Sequence, residues 1–270
     1  MSSHQVMHVK LPGLKLFVRT DGTEKKKAPW LVLSNSLAAD HTMWDAQVRL
    51  LTSRYRVLRY DTRGHGQSDV PSGPYSFDLL VDDVIGLLDQ MKIERAHFMG
   101  LSLGGMTGIG LALKAPERLE TLVVCDARAD APEAFVKGWE ERIAAIERDG
   151  MKSIVGGTIE RWLVPQFRAT HPDVVRRVER MIAETPATGY VGCAHALKRL
   201  DYLRSMQRIT APSLFVVGRE DAGAPPPVMQ QMAARVPRAL FEIVENAAHL
   251  PNIDNERGFE AAISHFLGLS

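Results

Sequence analysis

Apolar and polar positions divide the chain into short apolar runs that alternate with segments of helical spacing. The runs that predict strands are residues 30–33, 56–60, 96–101, 119–125, 213–217 and 240–244. The segments that predict helices are residues 43–51, 77–91, 106–114, 227–235 and 256–267. Residues 6–9 and 15–20 alternate apolar and polar side chains around a turn, which predicts an antiparallel hairpin. Strands that alternate with helices on short loops predict an α/β fold, with a mostly parallel sheet covered by helices on both faces.

The rhythm changes between residues 128 and 203, where helical segments follow one another without a strand. These segments are residues 134–148, 151–163, 173–183 and 190–197. The pattern predicts an inserted helical cap at 128–203, and a core domain formed by residues 1–127 and 204–270.

Composition and charge narrow the classes of partner. The chain has 270 residues, 45% of them hydrophobic, and a formal net charge of +1, which favours a globular domain without a nucleic-acid partner. No stretch approaches the ~20 apolar residues of a membrane helix, and the N-terminus has no signal-peptide pattern, so we expect a cytoplasmic protein without a membrane partner. Cys125 and Cys193 lie in apolar surroundings and are expected to be buried thiols. The oligomeric state stays open.

The most informative segment joins the strand at 96–101 to the helix that follows. It places Ser102 between Gly100 and Gly104, the G-x-S-x-G pattern of a nucleophile elbow. A sharp reversal from strand to helix strains the serine backbone and brings neighbouring backbone close, so the flanking residues must be small. The pattern predicts Ser102 as a catalytic nucleophile.

A nucleophilic serine needs a base, and the base needs a carboxylate that orients it. His249 follows the last strand and is the best placed of the nine histidines; His65, between two glycines, is expected to be structural. Asp221 follows the strand at 213–217, which gives the chain order Ser, Asp, His of α/β-hydrolases. Asp126, at the end of the strand at 119–125, is the alternative acid, and Glu220 is the other rival.

Acyl transfer also needs hydrogen-bond donors for the oxyanion. The expected donors are the backbone N–H groups of Leu103, directly after the nucleophile, and of Leu37, in the loop after the strand at 30–33. The sequence contains no P-loop, no dinucleotide-binding glycine motif and no zinc-protease motif, so we expect neither a cofactor nor a metal.

Several longer motifs carry a resemblance to one family. They are Leu-Ser-Asn-Ser-Leu at 33–37, Met-Trp-Asp at 43–45, Tyr-Asp-Thr-Arg-Gly-His-Gly at 60–66, and Gly-Leu-Ser-Leu-Gly-Gly-Met at 100–106. Together with Glu220-Asp221 and the residues around His249, they resemble the 3-oxoadipate enol-lactonases of the α/β-hydrolase superfamily. That resemblance implies cofactor-independent opening of an enol-lactone in the β-ketoadipate pathway. The chain departs from the family at Ala38, where glycine is usual, and at Gly223-Ala224.

The resemblance therefore implies a serine hydrolase for a small lactone or ester that carries a carboxylate. The alternatives are a carboxylesterase for acyclic esters and a ligand receptor that keeps the triad but turns over poorly. A substrate carboxylate requires a cation, and Arg128 and Arg142, the latter one helical turn from Trp139, are the candidates in the cap. Most of the remaining cap charges, with Arg161 counted among them, are expected to lie on solvated helix faces.

Overall fold

The computed structural model describes residues 4–269 and contains one mixed sheet of eight strands in the order β1-β2-β4-β3-β5-β6-β7-β8. The strands are β1 (His4–Leu11), β2 (Leu14–Asp21), β3 (Trp30–Ser34), β4 (Arg56–Tyr60), β5 (Ala96–Leu101), β6 (Leu119–Cys125), β7 (Ser213–Gly218) and β8 (Leu240–Val244). Among them β2 runs antiparallel to both of its neighbours, and β3 to β8 pair in parallel. The predicted hairpin and parallel sheet are confirmed.

Helices cover the sheet and fill the long connection between β6 and β7. They are α1 (Val48–Leu51), α2 (Phe77–Gln90), α3 (Leu103–Lys114), α4 (Glu133–Asp149), α5 (Val155–Trp162), α6 (Pro165–Thr170), α7 (Pro172–Glu184), α8 (Ala187–Leu197), α9 (Pro226–Ala233), α10 (Pro251–Asp254) and α11 (Glu256–Leu267). Strands β5, β6 and β7 at the centre are almost wholly buried, as the continuous apolar runs of parallel strands require. Both Cys125 and Cys193 are free, buried thiols, as predicted.

The helices α4 to α8 form an insertion whose entering and leaving chains meet at a narrow neck. Asp130 and Asp201 form an isolated antiparallel bridge there, and the N–H groups of Tyr202 and Leu203 both donate to the carbonyl of Ala129. The neck lies directly after β6, so the insertion is held above the carboxyl ends of the strands. Ligand sites of open α/β sheets lie at those ends.

Two helix predictions need correction, and two helices were not predicted. Residues 43–51 do not form one helix: a 3-10 turn over His41–Trp44, capped by the Asp40 side chain, precedes the single turn α1. Residues 151–163 likewise divide into a 3-10 turn and α5. The helices α6 and α10 were not predicted, because Pro165 and Pro251 suggest breaks, yet proline is well tolerated in the first turn of a helix.

Within residues 4–269, the structure contains no helix that is both long enough and apolar enough to span a bilayer.

Candidate active site

Ser102 lies at the sharp junction between β5 and α3. Its backbone has φ 54° and ψ −114°, outside the regions that L-residues ordinarily occupy. The N–H of Ser102 donates to the carbonyl of Cys125 at 2.8 Å, which anchors the strained residue to the neighbouring strand. Strain held by surrounding structure is common at functional sites, and here it presents the serine side chain beyond the edge of the sheet.

The two flanking glycines are required by close backbone approach. A Cβ on Gly100 would lie 2.2 Å from the carbonyl oxygen of Gly104, and a Cβ on Gly104 would lie 2.2 Å from the carbonyl oxygen of Ser34. Neither contact is sterically tolerable. The predicted reason for the two glycines is therefore confirmed.

His249 and Asp221 meet above the carboxyl ends of β7 and β8. The His249 Nδ1 and the Asp221 Oδ2 lie 2.9 Å apart, and the Asp221 carboxylate is buried. Burial alone would raise the pKa of Asp221. The charge and hydrogen bond of His249, together with the N–H groups of Gly223 and Ala224, outweigh burial and hold that pKa below its usual value. Asp221 is thus an ionised partner for the imidazole.

The rival residues make other contacts. Asp126 is fully buried and its Oδ1 accepts the Gly218 N–H at 2.9 Å, so it adjoins Asp221 rather than bonding to His249. Glu220 is exposed and lines a separate groove. His65 is fully buried, with Nδ1 at 3.1 Å from the carbonyl of Arg63, and burial lowers its pKa. Of the three candidate acids, Asp221 is the one whose carboxylate hydrogen-bonds to His249.

The loop after β3 lies against the elbow. Its Asn35 carbonyl accepts the Gly104 N–H at 3.0 Å, and the Asn35 side chain bonds to the Tyr60 carbonyl and the Trp44 indole. Among the described residues, the backbone N–H groups of Leu37 and Leu103 have no protein acceptor, so both are available to a ligand. Leu37 lines the same cavity as Ser102 and Leu103 directly follows Ser102, so both N–H groups are candidate donors for an oxyanion.

The backbone conformation of Ala38 shows why glycine is usual at this position in the family. Its φ is 61°, in the left-handed region where glycine carries no steric penalty. The alanine in this chain accepts that strain, and its side chain is fully buried in the core.

Ser102, Asp221 and His249 open onto one cavity of about 370 Å³. Its other walls come from the loop after β3, from the segment after Asp221, and from the inserted helices. The cavity-lining residues of the inserted helices are Ala134, Phe135, Gly138, Trp139, Arg142, Thr158, Arg161, Trp162, Tyr190 and Leu197. The ten residues of the inserted helices, called the roof of the cavity below, include four aromatic side chains and two arginines. The roof lies across the cavity from the polar side chains of Ser102, Asp221 and His249.

Two arginines of that roof have no carboxylate partner among the described residues. The Arg142 guanidinium stacks on the Trp139 ring at 4.5 Å, and Arg161 Nη2 donates to Thr158 Oγ1 at 3.1 Å. Burial lowers the pKa of Arg161, and the nearby charge of Arg142 lowers it further. Burial raises the pKa of Tyr190 to about 12, although both arginine charges oppose that rise. Two guanidinium groups therefore face one cavity, and neither forms an ion pair with a carboxylate between residues 4 and 269.

The expectation for Arg161 was wrong, since it lies in the cavity wall and not on a solvated face. Thr158, Arg161 and Trp162 share one face of α5, at the i, i+3, i+4 spacing that places side chains together. This spacing next to a tryptophan was the feature of the sequence that could have predicted that Arg161 faces the protein interior. Arg128 also lines the cavity, but its guanidinium contacts the Gly223 carbonyl at 3.2 Å and Asp130 at 3.4 Å.

A second buried carboxylate ties the histidine loop to the insertion. Asp254 accepts the N–H of Ala248 at 2.7 Å and that of Val164 at 3.1 Å. The Leu250 N–H donates to the Trp162 carbonyl at 3.1 Å, and the Trp162 and His249 rings lie 6.1 Å apart. Burial raises the pKa of Asp254 to about 6, against the effect of its two N–H donors. Sequence reasoning missed this residue.

Two clusters have the donor types of a metal site. One is Asp126 with Asp221 and His249, and the other is Asp40 with His41 and Asp61. In the second, Asp61 accepts bonds from the His41 backbone and from Gln67, and its Oδ1 lies 2.9 Å from His41 Nδ1. Most of the nitrogen and oxygen atoms that could bind a metal in these two clusters therefore already take part in hydrogen bonds within the protein.

Comparison with known proteins agrees with this geometry. Residues 29–256 match the family model described as the alpha/beta hydrolase fold. The chain belongs to the α/β-hydrolase family. It is 35% identical over 235 residues to 3-oxoadipate enol-lactonase 2 of Acinetobacter baylyi, covering 87% of each chain.

Two solved structures extend the comparison. The enol-lactonase from Burkholderia xenovorans is 34% identical with a TM-score of 0.92, and the match covers 97% of this chain and 100% of that one. A thermophilic esterase from Thermogutta terrifontis, solved with malate bound, is 29% identical with a TM-score of 0.89 over 98% of both chains. The predicted fold class and family resemblance are confirmed, and the chain is a carboxylic ester hydrolase.

Proposed function

We propose that this α/β-hydrolase opens a small enol-lactone bearing a free carboxylate, such as 3-oxoadipate enol-lactone, through an acyl-enzyme on Ser102. One observation carries the proposal: Ser102 and the hydrogen-bonded pair of His249 and Asp221 share a cavity with two arginines that form no ion pair with any carboxylate in the part of the chain that the structure describes. Its volume of about 370 Å³ lies in the range of small-molecule sites.

The triad supplies the nucleophile. His249 donates its Nδ1–H to Asp221, which leaves Nε2 free to accept the Ser102 hydroxyl proton. Ser102 Oγ then bonds to the lactone carbonyl carbon, and the carbonyl electrons move to the oxygen. The Leu37 and Leu103 N–H groups donate to that oxyanion.

Collapse of this intermediate breaks the bond between the carbonyl carbon and the ring oxygen. The leaving enol oxygen takes the proton from His249, so the ring opens while the product stays attached to Ser102 as an ester. Water then attacks this ester, with its proton passing to His249 and on to Ser102 as the acid is released. Tautomerisation of the enol to the ketone completes the reaction without any cofactor.

Arg142 and Arg161 bind the substrate carboxylate in this proposal. Planar guanidinium groups match a carboxylate in geometry as well as charge, and the carboxylate would relieve the repulsion between the two arginines. Arg128 contributes less, because Gly223 and Asp130 already engage its guanidinium. The aromatic roof formed by Trp139 and its neighbours packs on the apolar part of the ligand.

The named relatives support the biological setting. The relative from Acinetobacter baylyi is named for 3-oxoadipate enol-lactone, and this name supports a role of the present chain in β-ketoadipate catabolism as part of the proposal. The cytoplasmic location stays a prediction. The receptor alternative loses its support, because the relatives compared are enzymes by name.

A carboxylesterase for acyclic esters is the second candidate, favoured by the esterase from Thermogutta terrifontis. A substrate series separates the two: the anionic enol-lactone, a neutral lactone of equal ring size, and p-nitrophenyl acetate. We expect kcat/KM to be highest for the anionic lactone, and Ser102→Ala to abolish turnover of all three. A wild-type enzyme that prefers the neutral acyclic ester would favour the esterase instead.

A further inference from the structure

Asp126 is a fully buried carboxyl group that the proposed reaction does not use. It follows β6 directly, and its Oδ1 accepts the Gly218 N–H at 2.9 Å. Its Oδ2 is also buried and has no hydrogen-bond partner by ordinary geometric criteria among the described residues. An unpaired buried carboxylate oxygen is costly, so this atom requires an explanation.

The nearest ionisable group is the Asp221 carboxylate. Ligand atoms of Asp126, Asp221 and His249 all lie within 4.8 Å of one another. Two ionised carboxylates at such a spacing in a buried site repel strongly, so one of them holds a proton. Asp221 is the ionised one, because it faces His249 and accepts the Gly223 N–H at 2.7 Å, whereas Asp126 accepts one backbone N–H only.

We propose that Asp126 is a positioning residue whose neutral carboxyl group donates a hydrogen bond from Oδ2 to the Asp221 carboxylate. The bond holds Asp221 in the orientation that receives His249 Nδ1. This inference rests on the proposed catalytic role of the His249 and Asp221 pair. The proposed hydrogen bond gives Asp126 Oδ2 a partner. It also removes the repulsion that two ionised carboxylates would have at this distance in a buried site.

The surrounding charges agree with a neutral Asp126. Burial raises its pKa well above the usual value, and the charges of Asp221 and Asp254 raise it further, against the Gly218 N–H. On its own strand the neighbouring group is the Cys125 thiol, whose pKa burial and Asp126 also raise. His249 and Arg128 line the same cavity as Asp126, and His249 bonds to Asp221.

Asparagine is the matched substitution. Asp126 has φ 46°, a left-handed conformation that Asp and Asn tolerate better than other L-residues. In Asp126→Asn, the side-chain amide oxygen can still accept the Gly218 N–H. The NH₂ group of the same amide can donate to Asp221, as the neutral acid does in the proposal. Asp126→Ala removes both functions. We expect kcat of Asp126→Asn to stay within about threefold of wild type, and kcat of Asp126→Ala to fall by about tenfold or more at similar KM.

Two kinetic results would overturn the proposal. The first is a loss in Asp126→Asn of about 100-fold or more, which would mean that a charged Asp126 is needed. The second is a folded Asp126→Ala protein with wild-type kcat, which would leave Asp221 with no need of the donor.

Thermal unfolding from pH 5 to 8 tests the protonation state without catalysis. A carboxyl whose pKa is raised by folding stabilises the protein below its unfolded pKa of ~3.9, and that stability is lost as pH rises toward the folded pKa. Asparagine does not titrate, so Tm of Asp126→Asn minus Tm of wild type should rise by about 2–3 °C per pH unit. Asp254 is present in both proteins, so its own titration cancels in the difference.

Asp201→Asn, at an exposed carboxyl, is the control and should give a flat difference. A flat or falling difference for Asp126→Asn would overturn the neutral state of Asp126. Inactivity of the lactone assay would count against the proposed function alone, since the Tm measurement needs no substrate.

Discussion

Removing the Arg161 guanidinium should weaken the enzyme selectively toward anionic substrates. Arg161 is half-buried in the cavity wall, and among the described residues its one hydrogen bond goes to Thr158 and no carboxylate forms an ion pair with it. A substrate carboxylate would therefore be its counter-ion. A hydrogen bond between charged groups contributes about 1.5–3 kcal/mol, so Arg161→Ala should lower kcat/KM for the anionic enol-lactone by about 10- to 150-fold.

The assay compares the anionic lactone with p-nitrophenyl acetate for each variant. Loss of a uniform binding interaction appears mainly in KM, so kcat should change little. Arg142→Ala should behave similarly, with an added loss from the missing stack on Trp139. Arg148→Ala, at an exposed position on the same inserted helix as Arg142, is the matched control and should match wild type on both substrates.

The prediction depends on the difference between the losses of kcat/KM on the charged and on the neutral substrate. Equal losses on the charged and neutral substrates would mean that Arg161 supports the cavity and does not bind the carboxylate. Wild-type kcat/KM on the anionic lactone in both Arg142→Ala and Arg161→Ala would remove the reason to prefer a carboxylate-bearing substrate.

Four further predictions, one of them with a control variant, test other parts of the account. Ser102→Ala should lower kcat by ~10⁴-fold or more with stability within about 0.5 kcal/mol of wild type, measured by turnover and thermal unfolding; activity above a tenth of wild type would exclude the nucleophile. Asp221→Asn should cost ~10³- to 10⁴-fold in kcat, since the amide disfavours the required imidazole tautomer. Gly104→Ala should destabilise the fold by about 1–3 kcal/mol or more in urea unfolding, whereas Gly156→Ala, with open space around its Cβ, should be neutral or stabilising. Asp254, with a pKa raised to about 6, weakens folding as pH rises through that value, so the stability of Asp254→Asn relative to wild type should increase by up to about 3 kcal/mol from pH 4 to pH 7.

The core of the site could be predicted from local sequence because its geometry is set locally. Strand β5 and the glycines around Ser102 define the elbow within a few residues, and strands that run in parallel bring their carboxyl ends to one edge. The loops that carry Asp221 and His249 must therefore reach Ser102. The choice between Asp221 and Asp126 was harder, since both follow central strands and a distance was needed to decide.

The roof of the cavity could not be predicted in the same way. Arg161 and Arg148 both lie in charged stretches of helical spacing, and only the packing of the inserted helices turns one inward and leaves the other exposed. Asp254 was missed for a related reason, because its partners Ala248 and Val164 belong to separate parts of the chain. Such contacts depend on tertiary packing, which periodicity does not encode.

Rapid acid quenching of wild-type enzyme with p-nitrophenyl acetate, followed by peptide mass mapping, tests the central claim most directly. The account predicts a burst of p-nitrophenol of one equivalent per site or less, and one acetyl group on the peptide that contains Ser102. Ser102→Ala should give neither the burst nor the adduct. An acetyl group on a different residue that turns over at the rate of the reaction, or full hydrolysis by Ser102→Ala, would contradict it.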